Sequence, residues 1–83
     1  MKKKIVILGS TGSIGKTTIN ILKKDKNNVE ILLLTANKNY KELINQTKFF
    51  KVKNIVITDK EKFAIVKKIL KNQNINIYND FNS

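Results

Sequence analysis

Several residue types that carry chemistry in proteins are missing from this 83-residue chain. It has no cysteine, histidine, proline or tryptophan, only three glycines, and no arginine among its 17 basic residues. Without cysteine and histidine, disulfides, structural zinc clusters and Cys- or His-based catalysis are excluded within the chain. No apolar run approaches the ~20 residues of a membrane span, so we expect no membrane partner. A cytoplasmic location fits the lack of cysteine.

The charge is strongly one-sided, with a formal net charge of +11. Lysine, asparagine and isoleucine are abundant together, and all three are encoded by AT-rich codons, so genome composition explains much of the bias. Base readout and bidentate phosphate recognition favour arginine, which is absent. The lysines are also spread along the chain. We therefore expect a solvated basic surface and no nucleic-acid partner, with a nucleic-acid-binding domain as an alternative hypothesis.

Short apolar runs alternate with longer periodic segments. The runs "KIVILG", "VEILLLT" and "NIVITD" predict three strands, and "INIYND" a possible short fourth. The run from 31 to 34 in the second strand predicts burial on both faces. Strands alternating with helical segments indicate βαβ units and a parallel sheet.

Three segments between these runs carry apolar residues at helical spacing. The predicted core-facing positions are Ile14, Ile19, Ile21 and Leu22, then Leu43, Ile44 and Phe50, then Phe63, Val66, Ile69 and Leu70. Asp59 is the predicted N-cap of the third helix, without a capping box. The fold class is therefore α/β, a partial Rossmann-like doubly wound parallel sheet in the order β-α-β-α-β-α.

The stretch "ILGSTGSIGKTTINIL" allows two interpretations. A P-loop, G-x-x-x-x-G-K-[ST], would use the pair Gly15–Lys16, but it requires a glycine where Ser10 stands. Asp59, at the end of an apolar strand, is a candidate magnesium ligand for such a loop. A small P-loop-like nucleotide-binding module therefore remains the alternative function.

The other interpretation is a dinucleotide-binding turn. Gly9, Gly12 and Gly15 form G-x-x-G-x-x-G between a strand and a helix, a spacing variant of the dinucleotide fingerprint. Glycines let the backbone approach a ligand closely, and the helix start offers N–H groups to phosphate. This context favours the dinucleotide interpretation.

The end of the second strand discriminates between the two dinucleotides. An NAD-binding fold places Asp or Glu there, on the ribose 2′-hydroxyl. The corresponding stretch "LTANKN", residues 34 to 39, has no acidic residue. Lys38 would instead attract a 2′-phosphate, with Asn37 and Asn39 as hydrogen-bond donors, so the sequence favours NADP(H).

These motifs resemble the N-terminus of the 1-deoxy-D-xylulose 5-phosphate reductoisomerase family. The block "GSTGSIG" is characteristic of that family, "LTANKN" looks like its second cofactor loop, and "LINQTKFFKVKNIVITD" looks like its next helix and strand. The resemblance runs from about residue 4 to about residue 70. Asn37 departs from the small residue common in the family, and Val52 from a common proline. An asparagine there is compatible with a left-handed loop conformation.

The resemblance implies an enzyme of non-mevalonate isoprenoid biosynthesis that uses NADPH and a divalent metal to make 2-C-methyl-D-erythritol 4-phosphate. By resemblance, the pyrophosphate and adjoining parts of NADPH contact Thr11, Gly12, Ser13 and Ile14. Lys38 and Asn39 lie near the adenosine ribose and its 2′-phosphate. The resemblance also implies a homodimer when the protein is complete.

The family's metal-binding carboxylates, substrate-phosphate site and lid lie downstream of anything present here. The six acidic residues are scattered, so we assign no catalytic residue and no metal ligand. We expect residues 1–83 to be an incomplete N-terminal NADP(H)-binding Rossmann-like domain, without the catalytic and C-terminal domains and inactive alone. Magnesium or manganese and the sugar-phosphate substrate are expected only in the full-length enzyme.

Overall fold

The computed structural model describes residues 2–81, in which strands and helices alternate along the chain. The elements in order are β1 Lys3–Ile7, α1 Ser13–Lys23, a 3₁₀ turn Lys26–Asn28, β2 Val29–Ala36, α2 Tyr40–Phe50, β3 Asn54–Ile57, α3 Lys60–Ile69 and β4 Asn76–Tyr78. The predicted β-α-β-α-β-α order is confirmed. The possible short fourth strand is confirmed as β4. None of the helices in the described part of the chain is long and apolar enough to cross a bilayer.

The four strands form one parallel sheet in the order β1-β2-β3-β4. Each crossover advances one strand in the same direction. Since such crossovers are right-handed, successive helices should lie on the same face of the sheet. The predicted α/β class with a parallel sheet is therefore confirmed.

A single hydrophobic core confirms that all three helices share one face. Its helical members are Ile19 from α1, Leu43 and Ile44 from α2, and Val66 and Leu70 at the end of α3. Their strand partners point to the same side, and they are Ile7, Ile31, Leu34, Ala36, Ile55 and Ile57. The described residues thus supply one helical layer of the sheet.

The opposite face of the sheet, here called the open face, carries Val6, Leu32, Leu33, Val56 and Tyr78. None of these belongs to the core cluster, and Val6 is 52% and Leu32 38% exposed. The pairing of β1 with β2 shifts register between Ile5 and Val6, which leaves Leu32 as an extra residue. The prediction that β2 is buried on both faces is therefore wrong for Leu32, because no described helix covers this side.

The helical spacing predicted more buried apolar residues in α1 than the structure has. Ile19 is buried, but Ile14 is 85% and Ile21 63% exposed. In α3, Val66 and Leu70 are buried as predicted, whereas Ile69 is 49% exposed. A helix that covers one edge of the sheet buries a narrow stripe, so residues at its margins stay in solvent.

The N-termini of α2 and α3 are each capped by a side chain. Asn39 caps α2 by accepting from the Glu42 N–H at 3.3 Å, and Asp59 caps α3 by accepting from the Lys62 N–H at 3.1 Å. The Asp59 prediction is thus confirmed. α2 ends at Lys51, which adopts the left-handed conformation with φ 55°.

Candidate cofactor site

The three glycines of the turn after β1 differ in backbone conformation and in how closely other atoms pack against them. Gly9 has φ 66°, in the left-handed region where a side chain is strained. Gly12 donates its N–H to the Gly9 carbonyl at 3.1 Å and closes the turn. At Gly15, a Cβ would overlap the Gly9 carbonyl oxygen and lie 2.7 Å from the Ser10 carbonyl carbon. The first turn of α1 therefore packs directly on the turn backbone.

The N-terminus of α1 has no protein partner of the kind that caps the other two helices. Gly12 is its N-cap, no side chain makes a capping hydrogen bond, and no acidic residue lies in the first turn. The first intrahelical bond runs from the Lys16 N–H to the Gly12 carbonyl, at 2.8 Å. The N–H groups of residues 13–15 have no intrahelical acceptor, and they lie at the positive end of the helix dipole. Such an end favours an anionic ligand, above all phosphate.

A cleft of about 500 Å³ lies against this helix end. Its lining residues are Ile7, Leu8, Gly9, Gly12, Ser13, Ile14, Gly15 and Thr18. Leu8 is 65% and Ile14 85% exposed. The cleft thus combines helix N–H groups with exposed apolar side chains, which suits a ligand that has both phosphate and flat organic parts.

The predicted cofactor residues fall into two groups. Gly12, Ser13 and Ile14 line the cleft, and Thr11 lies half-buried in the turn beside them. Lys38 and Asn39 are exposed in the loop that follows β2 and do not line this cleft. Because β1 and β2 are neighbouring parallel strands, both loops leave the sheet at its carboxyl edge.

The loop after β2 is attached to the end of β3. The Asn37 side-chain oxygen accepts from the Thr58 hydroxyl at 2.8 Å, and its carbonyl accepts from the Asp59 N–H at 3.1 Å. Among the described residues, Lys51 is the only non-glycine with positive φ, so Asn37 is not left-handed. The asparagine is accommodated through its hydrogen bond to Thr58.

Val52, the other departure from the family pattern, is buried and donates its N–H to the Thr47 carbonyl at 3.0 Å. A proline has no N–H to donate, so this chain gains a hydrogen bond at the end of α2. The neighbouring left-handed Lys51 brings Val52 into that position.

The P-loop interpretation is not favoured by this geometry. The helix starts at Ser13, so Lys16 is its fourth residue, exposed and outside the cleft lining. Asp59 is engaged as the cap of α3. Within residues 2–81, no group of three or more acidic, histidine or cysteine side chains could hold a metal ion.

Two buried polar residues near the turn were missed by the sequence analysis. The Thr35 hydroxyl, at the end of β2, accepts from the Gly9 N–H at 2.8 Å. The Gln46 amide, on α2, donates to the Ser10 carbonyl at 3.0 Å. A signal was present, because Gln46 follows Leu43 by three positions and so falls on the apolar stripe of α2.

A glycine turn, an uncapped helix start and a second polar loop, all at the carboxyl edge of a parallel sheet, define a Rossmann-like nucleotide-binding unit. The particular family follows from sequence comparison. The chain belongs to the 1-deoxy-D-xylulose 5-phosphate reductoisomerase family, whose model matches residues 5–82.

Curated relatives agree with this assignment. The reductoisomerase of Pelagibacter ubique (strain HTCC1062) is 53% identical over 81 residues, which is 98% of this chain and 21% of the relative. That of Clostridium botulinum (strain 657 / Type Ba4) is 40% identical over 73 residues, 88% of this chain and 19% of the relative. The chain therefore spans about a fifth of the length of the curated relatives it matches.

Solved structures of the same family have the same fold. The reductoisomerase from Zymomonas mobilis, solved in complex with NADPH, superposes with a TM-score of 0.87 at 28% identity, covering 94% of this chain and 21% of that one. A second reductoisomerase, solved in complex with magnesium, gives a TM-score of 0.77 at 23% identity and covers 94% of this chain and 19% of that one. The second likeness bears on the fold alone.

Proposed function

We propose that the chain is the N-terminal NADPH-binding portion of a 1-deoxy-D-xylulose 5-phosphate reductoisomerase. The observation that carries the proposal is the uncapped N-terminus of α1, set against a cleft lined by Gly12, Ser13 and Ile14. A pyrophosphate there would meet unpaired N–H groups and the positive end of the helix dipole. The Zymomonas mobilis relative, of the same fold, was solved with NADPH.

The proposed contacts divide between the two loops. Thr11, Gly12, Ser13 and Ile14 contact the pyrophosphate and adjoining parts of the cofactor. Lys38 supplies the charge that attracts the ribose 2′-phosphate. Asn39 uses its side-chain oxygen to cap α2, which leaves its amide N–H groups to donate to the ribose or its phosphate.

The residues described here do not fit the divalent metal of the complete enzyme. Residues 2–81 contain no cluster of three potential metal ligands, and Asp59 is committed to a helix cap. We therefore assign the metal, the substrate site and every catalytic group to parts of the enzyme outside this chain. The proposed role of residues 1–83 is to bind and orient NADPH, which supplies the hydride.

The complete protein is proposed to make 2-C-methyl-D-erythritol 4-phosphate in non-mevalonate isoprenoid biosynthesis, as a cytoplasmic homodimer without nucleic-acid or membrane partners. The 83-residue chain alone is proposed to be an incomplete domain and inactive. The dispersed lysines and the lack of arginine support the absence of a nucleic-acid role.

Cofactor titration tests both the function and the role of Lys38. The complete gene product should bind NADPH more tightly than NADH, measured by fluorescence titration. Lys38→Ala should weaken NADPH binding about 10- to 100-fold, the effect of losing a charged hydrogen bond, and leave NADH binding nearly unchanged. Lys41→Ala removes another exposed lysine, on α2, and serves as the control.

Two results would overturn the proposal. One is a complete protein that neither binds NADPH nor converts deoxyxylulose phosphate. The other is magnesium-dependent ATP or GTP binding that is tighter than NADPH binding and is abolished by Lys16→Ala, which would restore the P-loop interpretation. Salt-sensitive nucleic-acid binding with sequence preference would contradict the partner assignment.

A further inference from the structure

A buried hydrogen-bond network holds the backbone of the glycine turn against the end of β2. Thr35 is 3% exposed and Ser10 fully buried. The Thr35 hydroxyl accepts from the Gly9 N–H at 2.8 Å, and the Thr35 carbonyl accepts from the Ser10 N–H at 2.9 Å. The Ser10 hydroxyl lies 3.4 Å from the same carbonyl. Two successive residues of the turn are thus fixed to one residue of the neighbouring strand.

Gln46 of α2 holds the same turn from the other direction. Its side chain is 1% exposed, and its amide nitrogen donates to the Ser10 carbonyl at 3.0 Å and to the Glu42 carboxylate at 3.1 Å. Because both neighbours are acceptors, the amide orientation is determined: the nitrogen must face them. The Gln46 side-chain oxygen is buried and has no hydrogen-bond partner among the described residues. The glutamine is therefore retained at the cost of one unpaired oxygen, and what it supplies is the donor to the buried Ser10 carbonyl.

The network continues into the second cofactor loop. Glu42, which accepts from Gln46, donates its backbone N–H to the Asn39 side chain at 3.3 Å. Thr35 itself lies three residues before Lys38 in the same strand and loop. The two loops proposed to bind the two ends of the cofactor are therefore connected by hydrogen bonds that start at the buried Gln46 and end at the exposed Asn39. Neither Thr35 nor Gln46 lines the cleft.

We propose that Thr35 and Gln46 are positioning residues that set the distance between the pyrophosphate-binding turn and the loop that binds the ribose phosphate. They touch the turn backbone and not the cofactor. Only a ligand that spans both loops depends on this distance. The inference rests on the proposed NADPH-binding function.

The sharpest test is Gln46→Met in the complete gene product. Methionine is similar in length, removes the donor and also removes the unpaired buried oxygen. We expect a modestly lowered melting temperature, because the change removes the unpaired Gln46 oxygen but leaves the buried Ser10 carbonyl without its donor. We expect the KM and Kd for NADPH to rise about tenfold, with kcat at saturating NADPH changed less than about twofold.

Thr35→Val provides a second, independent variant, since it keeps the shape of the side chain and removes only the hydroxyl. We expect a similar increase in the Kd for NADPH. Thr35→Ser should bind NADPH about as tightly as the wild type, because serine keeps the acceptor. Thr47→Val is the matched control. Thr47 is equally buried, but its hydroxyl donates to the Leu43 carbonyl within α2 at 2.7 Å and does not touch the turn.

The outcomes separate this inference from the proposed function. If the wild-type protein fails to bind NADPH, the proposed function fails. If the wild type binds but Gln46→Met and Thr35→Val raise the Kd no more than Thr47→Val does, the network is merely structural and the inference is overturned. A Thr35→Ser variant that binds NADPH as weakly as Thr35→Val would overturn the inference as well.

Discussion

The glycines of the turn differ in what an added methyl group would meet. Gly12 has φ −75° and ψ 176°, extended backbone that any residue adopts, and a Cβ there would lie 3.6 Å from the Gly9 carbonyl oxygen, an ordinary contact. At Gly15 the same methyl group would overlap the backbone of the turn. The fold therefore requires glycine at 15 but not at 12. The proposed contact of Gly12 with the cofactor gives a reason for the lack of a side chain there.

We predict that Gly12→Ala and Gly15→Ala separate binding from stability. Gly12→Ala should change the unfolding free energy by less than about 0.5 kcal/mol, yet weaken NADPH binding at least about tenfold because the methyl group projects into the cleft. Gly15→Ala should destabilise by about 3 kcal/mol, because the backbone of the turn must move. Thermal unfolding and NADPH titration measure the two effects. Equal loss of stability in both variants would contradict this distinction.

At the scale of secondary structure, the end of α2 is the strained element. Lys51 terminates the helix in the left-handed region, with φ 55°, where glycine is the usual residue. Its N–H donates to Thr47, so the geometry of a helix C-terminus is present without the residue that best adopts it. The left-handed conformation costs an L-residue about 1–2 kcal/mol.

We predict that Lys51→Gly stabilises the chain by about 0.5–1 kcal/mol, because relief of strain exceeds the added entropy of the unfolded glycine. The control is Lys48→Gly, which places glycine within the last turn of α2 and should destabilise by about 1 kcal/mol. Denaturant unfolding of the two variants beside the wild type measures both. A lower midpoint for Lys51→Gly would show that its side chain stabilises the helix end by more than the strain costs.

The elements were predictable where one physical signal dominated. Apolar runs located the strands, and the alternation with helices fixed the parallel sheet, because no short turn can join parallel neighbours. Periodicity failed at Ile14 and Ile21, since spacing alone does not show how much of a helix a neighbouring layer covers. Gln46 was missed for a related reason: a polar residue within an apolar stripe becomes interpretable only when its partner, the Ser10 carbonyl, is known.

The candidate site was predictable to the extent that it consists of backbone. Glycine spacing located the turn after β1, and the missing acidic residue in "LTANKN" indicated the 2′-phosphate. The assignment of individual contacts to Thr11, Ser13 or Asn39 stays a prediction, because a ligand must be present to test it. The connection between the two loops could not be predicted, since it runs through residues far apart in the sequence.

At the scale of the whole molecule, the open face presents apolar side chains to solvent. On this face Val6 is 52% and Leu32 38% exposed, beside the half-buried Leu33 and Tyr78. Phe81, 61% exposed, lines a shallow cavity with Leu32 and Tyr78 on the same side. Contiguous apolar surface of this kind marks a site of association or aggregation. The lysine-rich charge of +11 opposes self-association by repulsion, and added salt would screen it.

We predict that the 83-residue chain binds the dye ANS and aggregates more readily as salt is raised. The double variant Val6→Thr/Leu32→Thr should reduce dye binding and aggregation with little loss of stability, because both residues lie on the exposed side. Ile55→Thr is the contrasting variant: this core residue is fully buried, and its replacement should destabilise by about 2–4 kcal/mol and increase dye binding. Unchanged dye binding in the double variant would show that the dye binds to a surface other than the open face.

The strand order has a consequence for how the chain is made. Because spatial order equals chain order, each strand pairs with one completed about two dozen residues earlier. A nascent polypeptide leaving the ribosome could therefore add β2 to β1, then β3 and then β4, without waiting for a distant partner. The turn and loop that form the candidate site follow β1 and β2, so the cofactor-binding geometry would be among the first tertiary structure acquired during synthesis.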